Sequence, residues 1–251
     1  MTTLWDVVWN RTQFPPRIYW YSEEFIRYLI KWSSARRHAL LLEPGAGSGR
    51  FGYYFSNRGQ EVVVLDLSRN SIAMLKKLKT MSEGFLHVIR ADILHMPLRD
   101  SRFDLVFNEG VVEHFTDPNS VLREMARVTA NRGTVVFSVP HTLSFHTFAR
   151  QVLSGFFSAS WRHKLWPYGF ERSFSKNEVR RMLQLVNLQN VEVHGIGFLY
   201  GFARYTPHRV HVLLHSIYIK IRDTKLGQVL TEHTGFQIIG KGVKISTNPK
   251  M

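Results

Sequence analysis

A glycine-rich run follows the first apolar segment of the chain and has the residue types of a ligand-binding turn. Glu43 stands at its start, and Gly45, Gly47 and Gly49 follow at alternate positions. Glycines let a backbone turn tightly and let a ligand approach without an intervening Cβ. The amides of a following helix N-terminus would suit a carboxylate or another anion. Taken alone, the run also fits a purely structural turn, and residues 47–52 match the Gly-x-Gly-x-x-Gly pattern of dinucleotide-binding proteins.

Two further acidic residues narrow the chemistry of the ligand. Asp66 ends the second β-branched run, where a carboxylate can accept hydrogen bonds from both hydroxyls of a ribose. Asp92 and Ile93 follow the third run, where the acid can accept the adenine amino group and the isoleucine can line the ring. Glu43 suits a cationic amine better than a pyrophosphate. The three acids, in this order, predict a ligand with an amino-acid end, a ribose and an adenine but no phosphate, which argues against NAD.

Strands alternating with helices between residues 38 and 140 must position these groups. Helices are predicted at 20–33, 49–58, 69–80 and 118–130, the last opened by Asp117 and Pro118. The predicted strands are 38–43, 61–66, 85–91, 103–108 and 133–139. Such alternation is typical of βαβ units, and it predicts a parallel sheet with helices on both faces.

The remainder of the chain is less regular. A helix rich in phenylalanine is predicted at 144–158, an aromatic loop through 161–170, and a helix to about 187 behind a capping box formed by Ser175 and Glu178. Strands are predicted at 191–200 and 236–245, separated by a basic insert at 203–232. Within that insert, His208, His211 and His215 share a helix face, which suits either packing or a metal; packing is the expectation, and no metal site is predicted.

The ordered motifs resemble those of the class I S-adenosylmethionine-dependent methyltransferases, especially the small-molecule, quinone and glycan-pathway types. Residues 43–49, Asp66, Asp92 with the preceding alanine, and the segment 103–115 carry the resemblance. It implies an α/β, Rossmann-like methyltransferase fold. The expected sheet has seven mostly parallel strands, with helices on both faces and an antiparallel C-terminal edge strand.

The resemblance also implies roles for individual residues, with S-adenosyl-L-methionine as the cofactor. The methionine end is expected at Glu43 and the glycine loop, the ribose at Asp66, the adenine at Asp92 and Ile93, and the sulfonium region beside Asn108. The full implied cofactor-binding set is Glu43, Gly45, Ala46, Gly47, Gly49, Asp66, Leu67, Asp92, Ile93 and Asn108. His114 and His141 follow the fourth and fifth strands, where α/β proteins bind ligands, and are the candidate general bases.

Charge divides the chain unevenly. Residues 1–145 hold 18 Lys+Arg and 14 Asp+Glu, whereas residues 146–251 hold 15 and 5. We therefore expect three regions: an N-terminal aromatic lid and first helix (1–37), a cofactor-binding core (38–140) and a basic, aromatic, substrate-facing region with the last strands (141–251). The basic excess predicts attraction to polyanions. Aromatic residues interleaved with basic ones at 144–172 suit packing, an apolar substrate mouth or a lipid surface.

The expected function is transfer of a methyl group, by in-line displacement, to a small or lipid-linked acceptor. An RNA methyltransferase and a non-catalytic cofactor-binding protein of the same fold are the alternatives. The chain has no cysteine, which excludes disulfides, thiolate zinc ligands and a thiolate nucleophile. With neither a secretory signal nor a long apolar run, a cytoplasmic protein is expected, with peripheral contact to an anionic membrane as a further interpretation. The acceptor atom and the oligomeric state stay open.

Overall fold

A seven-stranded sheet forms the centre of the protein. The computed structural model describes residues 4–10, 14–33, 39–156, 169–203 and 206–245. The strands of the sheet are β1 (Leu40–Pro44), β2 (Glu61–Asp66), β3 (Leu86–Arg90), β4 (Phe103–Glu109), β5 (Thr129–Pro140), β6 (Leu188–Ile196) and β7 (Gln237–Lys244). The middle residues of β1, β2 and β4 are apolar and buried, because helices cover both faces of these parallel strands.

The strand order is β3-β2-β1-β4-β5-β7-β6. The first five strands of this order pair in parallel, while β7 runs antiparallel to both β5 and β6. The predicted mostly parallel α/β fold is therefore confirmed. In one detail the prediction differs from the structure, because the antiparallel C-terminal strand lies one place inside the edge and β6 is the outer strand. The connection from β5 to β6 leaves one strand position open, and β7 fills it.

Helices cover both faces of the sheet. Those present in the described residues are α1 (Leu4–Asn10), α2 (Trp20–Ser33), α3 (Arg50–Ser56), α4 (Arg69–Met81), α5 (Pro118–Val128), α6 (Phe145–Phe156), α7 (Lys176–Leu185), α8 (Tyr200–Ala203), α9 (His208–Ile221) and α10 (Lys225–Thr234), with a 3-10 turn at Val112–His114. The predicted caps are present: Asp117 accepts from the Asn119 amide before α5, and Ser175 with Glu178 forms a complete capping box before α7.

Two apolar layers join these helices to the sheet. On one face, α2, α3 and α4 pack on side chains from β1, β2 and β4, and on the other, α5 and α7 pack on alternate side chains of the same sheet. Phe107 of β4 is fully buried in the first layer, with its ring centroid 6.4 Å from Phe25, 6.4 Å from Phe51 and 5.8 Å from Phe55. A third cluster, around Trp20, Tyr200 and Tyr218, joins α2 to α8 and α9.

Element boundaries differ from the predictions mainly in the second half of the chain. The strand predicted at 191–200 occupies Leu188–Ile196, because Gly197 with φ 71° turns the chain and Tyr200 opens the short helix α8. β5 begins at Thr129, four residues before the predicted start. The insert at 203–232 forms α9 and most of α10. Most of the aromatic loop predicted at 161–170 lies outside the described residues, as do His38, Phe157 and residue 158.

Replacing Phe107 tests the first apolar layer. Phe107→Ala removes a ring from a fully enclosed site, so it should lower the free energy of unfolding by about 3–5 kcal/mol. The matched change Phe85→Ala, at a side chain that is 71% exposed, should alter it by less than about 0.5 kcal/mol. Urea unfolding of both variants gives the comparison, and equal losses would contradict this description of the core.

Candidate active site

A cavity of about 300 Å³ opens at the carboxyl ends of β1, β2, β3 and β4. This is the edge of an open α/β sheet at which ligands bind, on either side of the point where strand order reverses between β1 and β4. Residues from five segments line it: Trp5, Trp9, Gly45, Leu65, Asp66, Leu67, Ala91, Asp92, Ile93, Leu94, Gly110, Val111, His114 and Phe115. Of the predicted site residues, it therefore brings together Gly45, Asp66, Leu67, Asp92, Ile93 and His114.

The glycine turn between β1 and α3 forms one wall of the cavity. Gly45 and Gly47 have φ values of 74° and 52°, in the left-handed region where a side chain would be strained. The amides of Gly45 and Ala46 both donate to the Leu65 carbonyl, at 2.7 and 3.0 Å, so the turn is fastened to the end of β2. The backbone therefore reaches the cavity in a fixed conformation.

Asp66 is the central polar group of the site. Its carboxylate accepts hydrogen bonds from the Gly47 amide and the Ser68 amide, each at 2.8 Å, and only 8% of the residue is exposed. Burial raises the pKa of Asp66, while the hydrogen bonds from Ser68 and Gly47 act in the opposite direction. The side chain joins the glycine turn to the start of α4 and leaves oxygen lone pairs at the cavity wall.

The loop after β3 supplies the opposite wall. Asp92 is about half exposed, and its carboxylate accepts from the Leu94 amide at 2.9 Å, which fixes the turn. Ile93 is buried beneath this turn. One side of the cavity thus presents a carboxylate above an apolar surface, a combination that suits a flat ring with an amino group at its edge.

Five predicted cofactor residues lie outside this lining, in positions that support the cavity wall. Glu43 is buried and accepts from the Gly52 amide at 2.8 Å; burial, with a smaller contribution from Asp66, raises its pKa to about 8. Asn108 is fully buried and donates to Met125 Sδ at 3.3 Å, so its side chain points towards α5. Ala46 is buried, Gly47 is covered by the Trp9 ring, and Gly49 abuts Leu75.

His114 lies in the cavity wall with a defined tautomer. Its Nδ1 is 2.7 Å from the carbonyl oxygen of Phe170. Because a carbonyl can only accept, Nδ1 carries the proton, and the neutral ring has its lone pair on Nε2. Burial lowers the pKa of His114 below its usual 6.5, which favours this neutral form. The arrangement is chemically that of a base.

His141 occupies a different place. Its residue is 3% exposed and is absent from the cavity lining. Burial lowers its pKa to about 4, and the Gly235 carbonyl and the Lys176 and Glu232 side chains are the polar groups that influence it. His141 therefore lies near the C-terminal end of α10, outside the cavity lining. The prediction of His141 as a general base rested only on its position after the fifth strand, and that position does not determine where the side chain points.

Trp5 and Trp9 fall in the aromatic lid expected at residues 1–37, whereas the helix that carries them and the role of Arg50 were not predicted from the sequence. Trp5 and Trp9 line the cavity from α1, a helix too short to show a hydrophobic period. Arg50, at the first position of α3, makes an ion pair with Glu109 at the end of β4, and this pair is largely buried. A hydroxyl from Ser22 also donates to Glu109, at 3.3 Å. The network ties the glycine turn to β4.

Two of the three histidines of the basic insert, His211 and His215, pack on Trp20. Trp20 Nε1 donates to His211 Nε2 at 3.0 Å, and the His215 ring stacks on Trp20 at 5.4 Å. Throughout the described part of the chain, no group of three or more His, Cys, Asp or Glu side chains is placed to hold a metal ion. The side chain of His208 lies outside the described residues.

The family comparison agrees with this geometry. Residues 42–137 match the family described as "Methyltransferase domain". This segment is therefore a methyltransferase domain. The domain includes β1 to β4 and most of β5, which supply all of the cavity lining except α1.

Curated relatives match the methyltransferase domain over part of their length. The chain is 34% identical over 110 residues to a malonyl-[acyl-carrier protein] O-methyltransferase of Hamiltonella defensa, covering 44% of this chain and 41% of that protein. It is 28% identical over 129 residues to a probable S-adenosylmethionine-dependent methyltransferase of Mycobacterium tuberculosis, covering 51% and 44%. The chain thus spans about two fifths of the length of these relatives.

Solved structures share the fold over most of the chain. A putative methyltransferase from Bacillus halodurans C-125 superposes with a TM-score of 0.59 at 18% identity, covering 89% of this chain and all of the other. The [4+2]-cyclase SpnF has a TM-score of 0.59 at 13% identity, covering 89% and 81%. One of these structures is named for a cyclisation, so the fold by itself does not specify the reaction.

Proposed function

We propose that this protein is an S-adenosylmethionine-dependent methyltransferase acting on a small or lipid-linked acceptor. The observation that carries the proposal is the cavity in which Gly45, Asp66, Asp92 and Ile93 meet in chain order at the carboxyl ends of three consecutive strands of the sheet. The names of the curated relatives support it. A cytoplasmic location goes with this proposal.

The residues present suit S-adenosyl-L-methionine. Asp66 would accept from the ribose hydroxyls, Asp92 from the adenine amino group, and Ile93 would contact the ring. The glycine turn would hold the methionine end. Burial raises the pKa of Glu43 to about 8, and the cationic amine of the methionine end would favour the ionised form of this carboxyl. Asn108 would act from behind the wall, by fixing the end of β4 through its buried contact with Met125.

This chain's own residues would mainly orient the reactants and exclude water. When bound, S-adenosyl-L-methionine supplies a methyl group on a good leaving group, so alignment of the acceptor accounts for much of the rate. Trp5, Val111 and Phe115 give the cavity an apolar rim. His114 Nε2 would take the proton from a hydroxyl acceptor. A carboxylate acceptor would need no base. His141, which lies outside the cavity lining, has no part in this mechanism.

The relatives and the charge distribution suggest the acceptor class. The Hamiltonella protein is named for methylation of a malonyl group on a carrier protein, so its acceptor is a small acid attached to a protein. The excess of 15 Lys+Arg over 5 Asp+Glu in residues 146–251 would attract an acceptor attached to an anionic partner. RNA is a second polyanion and remains the alternative partner, and a non-catalytic cofactor-binding protein is the other alternative.

A lipid surface is the further partner that the structure favours, through α9. One side of this helix packs on Trp20 and buries Tyr218. The rest of the helix surface exposes five large apolar residues among the basic side chains of Arg209 and Lys220. The exposed apolar set is Val210, Val212, Leu213, Ile217 and Ile219. This combination suits the headgroup region of an anionic membrane. No helix in the described part of the chain is long and apolar enough to cross a bilayer.

The region around α6 supports membrane contact less than its sequence suggests. Phe148 is 61% exposed, as the lipid interpretation requires. Arg150 and Arg172 are two of the basic residues interleaved with aromatics at 144–172, and they make ion pairs with Glu171 and Glu178. Arg162 and Lys164 lie outside the described residues.

Cofactor binding is tested first. Calorimetric titration should show that the wild-type protein binds S-adenosyl-L-methionine, and that Asp66→Asn raises the dissociation constant about 10- to 100-fold, because charged hydrogen bonds to the ribose are lost. Asp223→Asn changes an exposed acid far from the cavity and should bind like wild type. Absence of wild-type binding at millimolar ligand would refute the enzyme proposal.

Turnover tests the role of His114. With a hydroxyl-bearing quinol as acceptor, His114→Gln should lower kcat by about 10²- to 10⁴-fold, whereas His95→Gln, at an exposed histidine, should not. With malonyl-acyl carrier protein, the His114 variant should keep near wild-type turnover. Because burial lowers the pKa of His114, the fall of the quinol rate on acidification should set in at a lower pH than for a solvent-exposed histidine. An unchanged quinol rate in His114→Gln would exclude it as the base.

Vesicle co-sedimentation tests the α9 surface. Wild-type protein should sediment with vesicles containing phosphatidylglycerol, and Leu213→Ser should reduce the bound fraction several-fold because an apolar contact is lost. Leu185→Ser, at a leucine 68% exposed on α7, is the matched control and should bind normally. Equal binding by both variants would exclude α9, and preferential binding to polyuridylate would favour the RNA alternative.

A further inference from the structure

Asp6 is a buried carboxylate on the short helix α1. It is 5% exposed although α1 has only seven residues. Asp6 Oδ1 accepts from Ser68 Oγ at 2.7 Å, from the Arg69 amide at 2.8 Å and from the Asn70 amide at 3.5 Å. Asn70 Nδ2 returns a hydrogen bond to the Asp6 carbonyl at 2.6 Å. Side chain and backbone of one residue thus fasten α1 to the beginning of α4.

The position of Asp6 explains why this attachment is strong. The first amides of a helix lack intrahelical partners, and the N-terminus carries partial positive charge. α4 has its own cap, because Ser68 Oγ accepts from the Ser71 amide. Asp6 adds a negative charge from another element and takes the amides that Ser68 does not. α4 is part of the folded core, so α1 is held against a rigid support.

The tryptophans of α1 contact the cavity, whereas Asp6 contacts α4. Trp5 and Trp9, one helical turn apart, stack with ring centroids 6.3 Å apart. Trp5 also meets the His114 ring edge-on at 4.8 Å. The Trp9 ring lies against Gly47, where an added Cβ would collide with it. The two indoles therefore close one side of the cavity between the glycine turn and the candidate base.

Ser68 connects this attachment to the proposed ribose site. Its hydroxyl donates to Asp6, while its amide donates to Asp66 Oδ1 at 2.8 Å. The two carboxylates are thus held by the same residue, one fixing α1 and the other facing the cavity. A shift of α1 would disturb the wall of the cavity and its polar centre together.

We infer that Asp6 is a positioning residue for cofactor binding: it seats α1 on α4 so that Trp5 and Trp9 complete the cofactor cavity. The inference rests on the proposed function, because it takes the cavity to be the site of S-adenosyl-L-methionine. It predicts that Asp6 acts on the cofactor through the two indoles, without touching it. Loss of the carboxylate should therefore release α1 and weaken binding together.

Calorimetry with S-adenosylhomocysteine and amide hydrogen exchange, both on the full chain, test this inference. Asp6→Ala should raise the dissociation constant about tenfold or more, the size expected for charged hydrogen bonds, and should speed exchange in residues 4–10. Asp6→Asn, which keeps the shape without the charge, should lie between Asp6→Ala and wild type. Thr224→Ala removes the N-cap of α10, away from the cavity, and should change neither quantity.

A mutant cycle separates positioning from general stability. In a chain that already carries Trp5→Ala and Trp9→Ala, adding Asp6→Ala should raise the dissociation constant less than about twofold, since coupled residues are non-additive. Full additivity would overturn the inference, as would an unchanged dissociation constant in Asp6→Ala while wild type binds. If wild type itself does not bind, the proposed function fails and this inference falls with it.

Discussion

The site depends on one buried carboxylate that holds two loops together. Asp66 accepts from Gly47 in the turn after β1 and from Ser68 in the turn after β2, each at 2.8 Å. Strand ends in a parallel sheet lie side by side, but their loops diverge unless something joins them. With both loops joined at Asp66, the glycine turn, the start of α4 and, through Ser68, the helix α1 keep fixed positions. The cavity lies beside these loops, with Asp66 in its wall.

The electrostatic character of the cavity contrasts with that of the whole protein. The chain carries a formal charge of +14, yet Asp66 and Asp92 line this one space, and Glu43 lies behind the glycine turn. Burial raises the pKa of Glu43 and Asp66, which means that the fold alone does not fully stabilise the ionised forms of these two carboxyls. A ligand bearing positive charge and several donors would supply that stabilisation. The same carboxylates would repel the negative charge of a phosphate group.

Sequence patterns predicted the parts of the fold that depend on local chemistry. The strand spacing, the caps at Asp117 and Ser175, and the glycine turn follow from periodicity and backbone preference, and each is present. Side-chain direction at strand ends was not predictable, because it depends on packing with distant elements. Two examples are Asn108, whose side chain contacts Met125, and His141, which lies near α10. α1 could not be recognised either, because what stabilises it is a contact between Asp6 and residues more than 60 positions away.

The placement of β7 has a consequence for how the chain acquires its structure. β7 pairs with β5 in a register that joins Ser138 to Ile239, and it separates β5 from β6. During synthesis, β5 therefore presents an open edge until residues 237–244 leave the ribosome. Unpaired edges attract other strands, and pairings of this sequence separation form slowly. Premature association of nascent chains is thus the characteristic hazard of this topology, and chaperone capture of the incomplete sheet would be its natural remedy.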